Sequence, residues 1–322
     1  MQAIVQRSYG PPDGLTLEEI ERPAVGDDQV LIRIRAASLN AYDWHMLRGK
    51  PYLARLVGGL RKPKRQVPGV DLAGVIEAVG PNVTRLHPGD EVFGPSNGAL
   101  AEYAAAGQAN YALKPPTITF EEAAAVPMAA TTALQGLRDH GRVEPGQKVL
   151  IVGASGGVGT FAVQIAKALG AEVTAVCSTG NVDAARLIGA DRVVDYTRED
   201  LAAMGERHDL ILVIAGDRRL SDYRRVLGPA GRLVFIGGAT GGNWVGPLIA
   251  VLKPRLASLF RGQKMATMLA KNRAADLEFV AALMEAGKVT PVIDRRYPLA
   301  EAPEALRYLG AGHARGKIVI TV

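Results

Sequence analysis

The feature that most constrains the fold is a glycine-rich turn between an apolar run and an amphipathic segment. Val149–Val152 is an unbroken apolar run that leads directly into the small residues of 153–157. Val158–Leu169 then carries apolar residues at helical spacing, with Gly170 just past its end. A tight turn from a strand into a helix needs glycine, because Cβ atoms would clash where the backbone approaches closely. The order predicts a strand, a turn and a helix.

The glycine spacing within this turn favours a bound phosphate group. Gly153, Gly156 and Gly159 recur at intervals of three residues. N–H groups at the start of the following helix have no partner in the helix, and they attract a pyrophosphate. A packing turn without a ligand is the alternative. The preceding strand, the following helix and a second apolar run from Val173 together favour a dinucleotide site.

Alternation continues along the middle of the chain. Helical patterns such as Asp183–Ile188 fill most of the gaps between apolar runs, which indicates a parallel sheet built from right-handed crossovers. A sixth strand is expected at Leu256–Phe260. The five other runs begin near Val149, Val173, Arg192, Leu210 and Arg232.

The sequence pattern at both ends of the chain differs from that of the middle. Short apolar runs punctuated by Gly and Pro fill the first 115 residues and predict a partly open β-barrel. Helices are predicted at 120–125, capped by Thr119, and at 131–140. After the alternating region come two more predicted helices, at 274–286 and 299–309, and a terminal strand at 317–322 that returns to the first domain. The predicted domains are 1–116 together with 263–322, and 117–262.

Composition limits the class of protein. The chain has 322 residues, 48% of them hydrophobic and 22% charged, which suits two folded domains. No apolar stretch is long enough to span a membrane, and no leader is apparent, so a cytoplasmic location is expected. The net charge of +6 is dispersed among acidic residues. Its densest cluster, Arg61–Arg65, is interpreted as a solvated or substrate-facing loop, and a nucleic-acid partner is not expected.

The motifs taken together resemble one known group. The chain is similar over essentially its whole length to the quinone oxidoreductase/zeta-crystallin group of the medium-chain dehydrogenase/reductase superfamily. The segments that carry this resemblance are Ser38–Asp43, Pro68–Gly74 with Gly80, Gly89–Val92, Gly146–Lys167 and Gly312–Lys317.

The resemblance implies an α/β fold: a GroES-like, partly open β-barrel domain plus a Rossmann domain with a doubly wound parallel sheet, and a cleft that holds a nicotinamide. Zinc-dependent relatives bind the metal at positions that match Asn40 and Gly69–Asp71 here. Cys177 is the only cysteine, so no site with two thiolates and no intramolecular disulfide can form. An alternative metal site from Asp43, His45 and Asp71 is conceivable, but no metal is expected.

The resemblance also suggests which residues form the site. Candidate catalytic residues are Asn40, Asp43, His45 and Tyr52. Side-chain amides, hydroxyls, backbone N–H groups and water are the groups expected to stabilise charge on a carbonyl oxygen in place of zinc. Candidate residues for binding the cofactor, NADP(H), are Ala41, Tyr42, Thr132, Ser155, Gly156, Gly157, Val158, Ser178, Thr179, Asn181, Tyr196, Ile236 and Gly237.

NADPH is expected over NADH because no acid follows the second strand. Residues 176–181 contain no carboxylate to bind a ribose 2′-hydroxyl, whereas Ser178, Thr179 and Asn181 can donate hydrogen bonds to a 2′-phosphate. A cation for that phosphate could come from Arg198, Arg218 or Arg315. A homodimer formed through the edges of the Rossmann sheets is also expected, since an exposed edge strand invites pairing.

Three functions remain open from the sequence. The first is zinc-independent, NADPH-dependent hydride transfer to a quinone or an α,β-unsaturated carbonyl compound, whose product spreads the developing charge. The second is zinc-free reduction of simple aldehydes or ketones, that is, an alcohol dehydrogenase activity. The third is a non-catalytic role in which an NADPH-binding protein binds RNA or serves a structural purpose.

Overall fold

Two units, each with its own β-sheet, make up a computed structural model that describes residues 1–216, 218–237 and 263–322. The first unit comprises Met1–Thr131, Asn272–Gly287 and Pro291–Val322. The second comprises Thr132–Lys271 and Lys288–Thr290. A largely antiparallel sheet in the first unit and a parallel sheet with helices in the second confirm the α/β fold class predicted from the sequence.

The units divide at positions that differ from those drawn from the sequence, 116/117 and 262/263. The Oγ of Ser38 donates a hydrogen bond to the carbonyl of Ala124, which ties the helix at 120–124 to the sheet of the first unit. The strand at 264–268 pairs within the sheet of the second unit. Packing of these two short elements therefore decides where the chain passes from one unit to the other.

The first unit is built on a seven-stranded sheet and a separate two-stranded ribbon. The ribbon consists of β1 (Gln2–Gln6) and β2 (Leu15–Glu19). The strands of the larger sheet are β3 (Gln29–Leu39), β4 (Asp71–Val79), β5 (Glu91–Pro95), β6 (Tyr103–Gly107), β7 (Ala112–Leu113), β14 (Ile293–Pro298) and β15 (Lys317–Thr321). Their order is β14-β15-β3-β4-β5-β7, and β6 also pairs with β3. The terminal strand thus returns to the N-terminal part, as predicted.

Helices cover this sheet and close its apolar core. Thr119 caps the helix that follows it: its Oγ1 accepts a hydrogen bond from the Glu122 N–H, and its own N–H donates to the Glu122 carboxylate. The helices are α1 (Ala41–Arg48), α2 (Arg55–Gly58), α3 (Phe120–Ala124), α8 (Ala274–Glu285) and α9 (Ala302–Gly310). Buried core side chains include Ile32, Leu39, Leu72, Ile76 and Leu306.

One predicted helix has different bounds in the structure. The helix expected over 131–140 is α4, which begins earlier, at Pro127, and ends at Gln135. A π-helical turn, Gly136–Gly141, follows it. Proline suits the first turn of a helix because its missing N–H has no partner there. Short 3₁₀ turns lie at Pro12–Gly14, Tyr52–Ala54, Gln108–Asn110, Thr179–Asn181, Leu201–Ala203 and Leu299–Glu301.

The second unit is a six-stranded parallel sheet with helices between its strands. Its strands are β8 (Lys148–Val152), β9 (Glu172–Cys177), β10 (Arg192–Asp195), β11 (His208–Val213), β12 (Leu227–Ile236) and β13 (Lys264–Met268). Its helices include α5 (Gly157–Ala168), α6 (Val182–Leu187) and α7 (Leu220–Val226). The strand order is β10-β9-β8-β11-β12-β13. Neighbouring β8 and β11 therefore mark the point where the winding reverses, which is where such sheets bind ligands.

The sixth strand needs a correction. It is β13, at 264–268, and it pairs in parallel with β12. The segment at which it was expected, 256–260, lies outside the described residues. In the part of the chain that the structure describes, no helix has both the length and the apolar character to cross a membrane.

Candidate active site

The glycine-rich turn lies at the switch point of the parallel sheet. Gly153 adopts a φ of +87°, and its N–H donates to the Val176 carbonyl over 3.1 Å, so the turn is fixed to the neighbouring strand. A Cβ on Gly159 would meet the Gly153 carbonyl oxygen at 2.1 Å. At Gly156 the nearest atom to a Cβ would be 3.8 Å away. Gly159 is thus required for close packing of α5, whereas Gly156 leaves open space at the helix N-terminus.

This geometry fits a dinucleotide cofactor. Gly156 is the N-cap residue of α5, so the first N–H groups of the helix have no partner within it. An anion at this end is stabilised by those N–H groups and by the helix dipole. The predicted contacts Ser155, Gly157 and Val158 lie on the same turn, and each is partly exposed.

The predicted adenosine end of the site lies after β9. Asn181 donates from its side-chain amide to the Ser178 hydroxyl over 3.0 Å. The Tyr196 N–H donates to the Cys177 carbonyl, which places this tyrosine beside the same strand end with 52% of its surface exposed. The structure therefore brings Ser178, Asn181 and Tyr196 to one edge of the sheet.

An acid that sequence reasoning missed also lies at this edge. Asp195 pairs with Cys177 in the register of β10 and β9, and its Oδ2 accepts a hydrogen bond of 2.5 Å from the Thr179 hydroxyl. Thr197 donates to the other oxygen, and Arg198 Nε lies 3.6 Å from the carboxylate. The hydrogen bond from Thr179 is the main cause that lowers the pKa of Asp195. The Thr179 hydroxyl therefore already donates its hydrogen bond to the Asp195 carboxylate.

Further predicted cofactor residues divide between the units. On α4 the Thr131 hydroxyl donates back to the Pro127 carbonyl over 2.6 Å, which leaves Thr132 as the next hydroxyl along the helix. Ile236 ends β12, and Gly237 follows it with a φ of +74°. Ala41 and Tyr42 begin α1 in the first unit.

A buried polar network occupies the end of β3 in the first unit. Asn40 donates from its amide to Asp71 over 2.9 Å, and its amide oxygen accepts from Lys317 Nζ over 2.6 Å. Lys317 also donates to the Leu39 carbonyl and lies 3.8 Å from the Asp71 carboxylate. Asp71 in turn accepts hydrogen bonds from the Met128 N–H. Lys317 is 2% exposed and Asp71 0%, so the ion pair is shielded from water.

Strand register brings these residues together. Ser38 pairs with Asp71 across β3 and β4, and Ile318 pairs with Leu39 across β15 and β3. Asn40 then follows β3 as the N-cap residue of α1, and its N–H donates to the Asp43 carboxylate over 2.8 Å. Asp43 is therefore fixed by the same helix start that presents Asn40 to the ion pair.

Burial shifts the ionisation of this network. Burial raises the pKa of Asp43 to about 7, a shift that the Asn40 N–H opposes and the nearby Asp71 charge reinforces. Burial also raises the pKa of Asp71 and lowers that of Lys317, and their mutual attraction works against both shifts. The Asp43 carboxyl can thus exchange a proton near neutral pH.

The residues here do not fit a metal ion. Asn40 and Asp71, which match zinc-ligand positions in the resemblance, already contact the Lys317 ammonium. A second cation would lie against this ammonium group at close range, where repulsion in a buried site is strong. Among the described residues, no group of three His, Cys, Asp or Glu side chains is placed to hold a metal, so the alternative set that includes His45 does not assemble.

A cavity of about 290 Å³ opens beside Tyr42 and Asp43 within the first unit. Tyr42 is 40% exposed, and burial is the main cause that raises the pKa of its hydroxyl, so the phenol keeps its proton. The remaining lining residues are Gln6, Tyr9, Met46, Gly58, Pro63, Lys64, Arg65, Val67, Pro68, Gly69, Val70, Asn97 and Gly98.

Of the four predicted catalytic residues, Asp43 lines this cavity, whereas Asn40, His45 and Tyr52 do not. His45 Nδ1 lies 3.0 Å from the Lys50 carbonyl oxygen, so that nitrogen is occupied. The Tyr52 ring stacks under the Arg55 guanidinium, 5.0 Å from it. Asn40 and Asp43 are brought together, whereas His45 and Tyr52 contact other groups.

Sequence reasoning missed the contacts of Lys317. Lys317 begins an otherwise apolar strand, and a lone lysine at the start of such a strand is a signal for a buried partner. The basic cluster of 61–65 is interpreted from the sequence as a solvated or substrate-facing loop, and the structure adds that Lys64 and Arg65 of this cluster line the cavity.

Comparison with known proteins identifies the family. A family model described as the alcohol dehydrogenase GroES-like domain matches residues 26–136, and one described as zinc-binding dehydrogenase matches residues 188–320. The chain is 32% identical to the chloroplastic quinone oxidoreductase QR1 of Triphysaria versicolor, over 99% of this chain and 98% of the relative. It is 33% identical to the chloroplastic NADPH-dependent alkenal/one oxidoreductase of Arabidopsis thaliana, over 99% of this chain and 79% of that relative.

A solved structure agrees with both relatives. The quinone oxidoreductase from Coxiella burnetii superposes with a TM-score of 0.87 at 30% identity, covering 100% of this chain and 99% of that one. Sequence and fold thus match over the same full length. The chain therefore belongs to the medium-chain dehydrogenase/reductase superfamily and is an oxidoreductase of its quinone oxidoreductase-like group.

Proposed function

We propose that the protein transfers a hydride from NADPH to a quinone or an α,β-unsaturated carbonyl compound without zinc. The observation that carries the proposal is the Lys317 ammonium, which contacts Asn40 and Asp71. A carbonyl without a Lewis acid must be activated in another way. Conjugate reduction needs less activation, because the enolate or hydroquinone product spreads the charge itself.

The residues of the first unit supply the polar groups for this chemistry. Tyr42 lines the cavity and its hydroxyl retains its proton, so it could donate a hydrogen bond to the oxygen on which charge develops. Asp43 lines the same cavity and exchanges a proton near pH 7. Asn40 positions Asp43 through its N–H, and Lys317 fixes the Asn40 amide.

The residues of the second unit would hold the cofactor. The N–H groups at the start of α5 would bind the pyrophosphate, and Gly156 leaves room for its approach. NADPH supplies the hydride, and the protein supplies position and electrostatics. Thr132, Ile236 and Gly237 remain proposed contacts for the nicotinamide half.

A preference for NADPH over NADH is supported by the edge after β9. Ser178 and Asn181 present polar groups there, and residues 176–181 contain no acid. The Asp195 charge is compensated by hydrogen bonds from Thr179 and Thr197 and by the nearby Arg198. Of the cations suggested from the sequence, Arg198 lies at this edge, whereas Arg218 pairs with Asp200.

Two further expectations remain proposals. A homodimer through sheet edges is supported by β13, which ends the six-stranded sheet of the second unit. A cytoplasmic location stays a prediction. Light scattering at micromolar protein concentration measures the mass that distinguishes a dimer from a monomer.

The experiment that tests the activity is a substrate panel with NADPH oxidation monitored. A quinone, an enone and the saturated ketone of the same carbon skeleton are compared at equal concentration. We expect the quinone or the enone to have a kcat/KM at least about tenfold above that of the saturated ketone, one power of ten being about 1.4 kcal/mol in the transition state. Equal turnover of the saturated ketone would favour a general carbonyl reductase, and no turnover with any compound would favour a non-catalytic role.

A further inference from the structure

Within the described ranges, the basic residues at the cavity of the first unit have no carboxylate partner, in contrast to several other cations of that unit. Arg7, Arg22, Lys114 and Arg307 each pair with a carboxylate on the surface. Lys64 and Arg65 line the cavity, and among the described residues neither has a carboxylate within 4.0 Å. Two uncompensated cations at the wall of one cavity attract an anion.

The Arg65 guanidinium is partly oriented by its surroundings. One of its nitrogens donates to the side-chain oxygen of Asn97, which lines the same cavity. A guanidinium has five N–H donors, so this contact orients the group and leaves other donors for a ligand. Its positive charge also acts on the Tyr42 hydroxyl, where it lowers the pKa against the effect of burial. Arg65 and Tyr42 line the same cavity, so one small molecule bound there could contact both.

The rest of the cavity wall suits a compact ligand with an apolar middle. Met46, Val67 and Pro68 are apolar lining residues, whereas Tyr42 and Asp43 add polar groups. The cavity volume of about 290 Å³ lies just below the range for small-molecule sites, which is roughly 300–1,000 Å³, so the ligand would be small. A short carbonyl compound with one charged end matches this distribution of groups.

We propose that Arg65 and Lys64 form an anion subsite, and that the carbonyl substrate carries a carboxylate or phosphate group that binds there while its carbonyl oxygen lies at Tyr42. This inference rests on the proposed function for its substrate. The anion subsite itself can be measured by binding alone.

The binding experiment uses 4-oxopentanoate and its methyl ester, which differ in one negative charge. Isothermal titration calorimetry is done on the enzyme with bound NADP⁺, which cannot donate a hydride. We expect the acid to bind about tenfold more tightly than the ester, as a charge-assisted hydrogen bond allows. Hydroxyacetone phosphate and hydroxyacetone form a second pair, and the pair with the larger difference identifies the anion.

The variants are Arg65→Gln, which retains a donor for Asn97, and Arg61→Gln as the matched control. Arg61 belongs to the same basic cluster but does not line the cavity. In Arg65→Gln the ratio of acid to ester affinity is expected to fall toward one, and Arg61→Gln is expected to retain the wild-type ratio. An equal fall in both variants would mean that only the general positive field attracts the acid, which overturns the subsite.

Turnover separates this inference from the proposed function. With NADPH, 4-oxo-2-pentenoate and its methyl ester are compared in the same variants, and we expect Arg65→Gln to raise the KM of the acid more than that of the ester. If neither compound is reduced, nor any compound of the substrate panel, but the acid still binds through Arg65, the proposed function fails and the subsite stands. If both are reduced equally well, the function stands and the subsite is wrong. A rise in the KM for NADPH as large as that for the acid would assign Arg65 to the cofactor and overturn the proposal.

Discussion

The Lys317 ammonium donates a hydrogen bond of 2.6 Å to the side-chain oxygen of Asn40, inside the first unit. This contact joins the last strand of the chain to the start of α1. Asp71, 3.8 Å from the same ammonium, also accepts from the first turn of α4. A single buried ion pair therefore fixes the starts of two helices, and its loss has consequences for stability that can be measured.

Replacing Lys317 with Met should destabilise the protein by about 3–5 kcal/mol, because the Asp71 carboxylate would remain buried without a counter-charge. Urea unfolding followed by circular dichroism measures this loss. The double variant Lys317→Met/Asp71→Asn removes both charges and should recover part of the stability, by roughly 1–3 kcal/mol relative to additivity. Strict additivity of the two single losses would show that the ion pair is not coupled.

Stability should depend on pH through Asp43. Its folded pKa of about 7 lies above its ordinary value of 3.8, so between these values the folded state holds a proton that the unfolded state has released. The free energy of unfolding should therefore fall as pH rises from about 4 to 7, by up to about 1.4 kcal/mol per pH unit from this group. Above pH 7 its contribution should be constant.

Asp43→Asn isolates this contribution because its amide oxygen can still accept from the Asn40 N–H. Asp71 and Lys317 titrate in both proteins, so the difference in unfolding free energy between wild type and variant reports Asp43. The exposed Asp183→Asn serves as the control. A difference that stays flat from pH 4 to 7 would place the Asp43 pKa near that of an exposed carboxyl.

Replacement by alanine should have different effects at two glycines of the turn: loss of stability at one and loss of cofactor affinity at the other. Gly159→Ala places a Cβ 2.1 Å from a backbone oxygen and should destabilise the fold by roughly 1–3 kcal/mol or more. Gly156→Ala finds open space at an ordinary φ of −81°, so it should cost less than about 1 kcal/mol. Its added methyl group should instead weaken NADPH binding, measured by fluorescence titration. If Gly156→Ala leaves the affinity for NADPH unchanged, the pyrophosphate does not bind at this turn.

Ser178→Asp should raise the KM for NADPH about tenfold or more and change that for NADH far less, through repulsion of the 2′-phosphate. In the neutral variant Ser178→Asn the new side chain has nearly the same shape as aspartate but no charge. This variant should change the ratio of the KM for NADPH to that for NADH little. Steady-state kinetics with both cofactors measures the effect. Equal efficiency with NADH and NADPH in the wild type, or an unchanged ratio in Ser178→Asp, would show that the loop does not bind the phosphate.

Local sequence patterns predict many of the helices and strands of the second unit. The elements and contacts that they do not predict depend on pairing between strands distant in the sequence. The helix predicted at 158–169 is α5 at 157–168, because glycine turn, apolar periodicity and C-terminal glycine all agree. By contrast, β13 has an ordinary sequence and becomes a strand through pairing with β12. The contacts of Lys317 with Asn40 and of Asp195 with Thr179 join residues distant in the sequence. Strand register creates them, and no local pattern identifies which residues become the partners.

Metal analysis and turnover measured on one sample test most directly whether the reaction proceeds without zinc. After prolonged chelation, the zinc content is measured, and the same protein is assayed for NADPH oxidation with a quinone and an enone. We expect kcat/KM to be retained at far less than one zinc per chain, since Lys317 already supplies the positive charge beside Asn40 and Asp71. Stoichiometric zinc, with activity lost on its removal and restored on its return, would contradict this expectation.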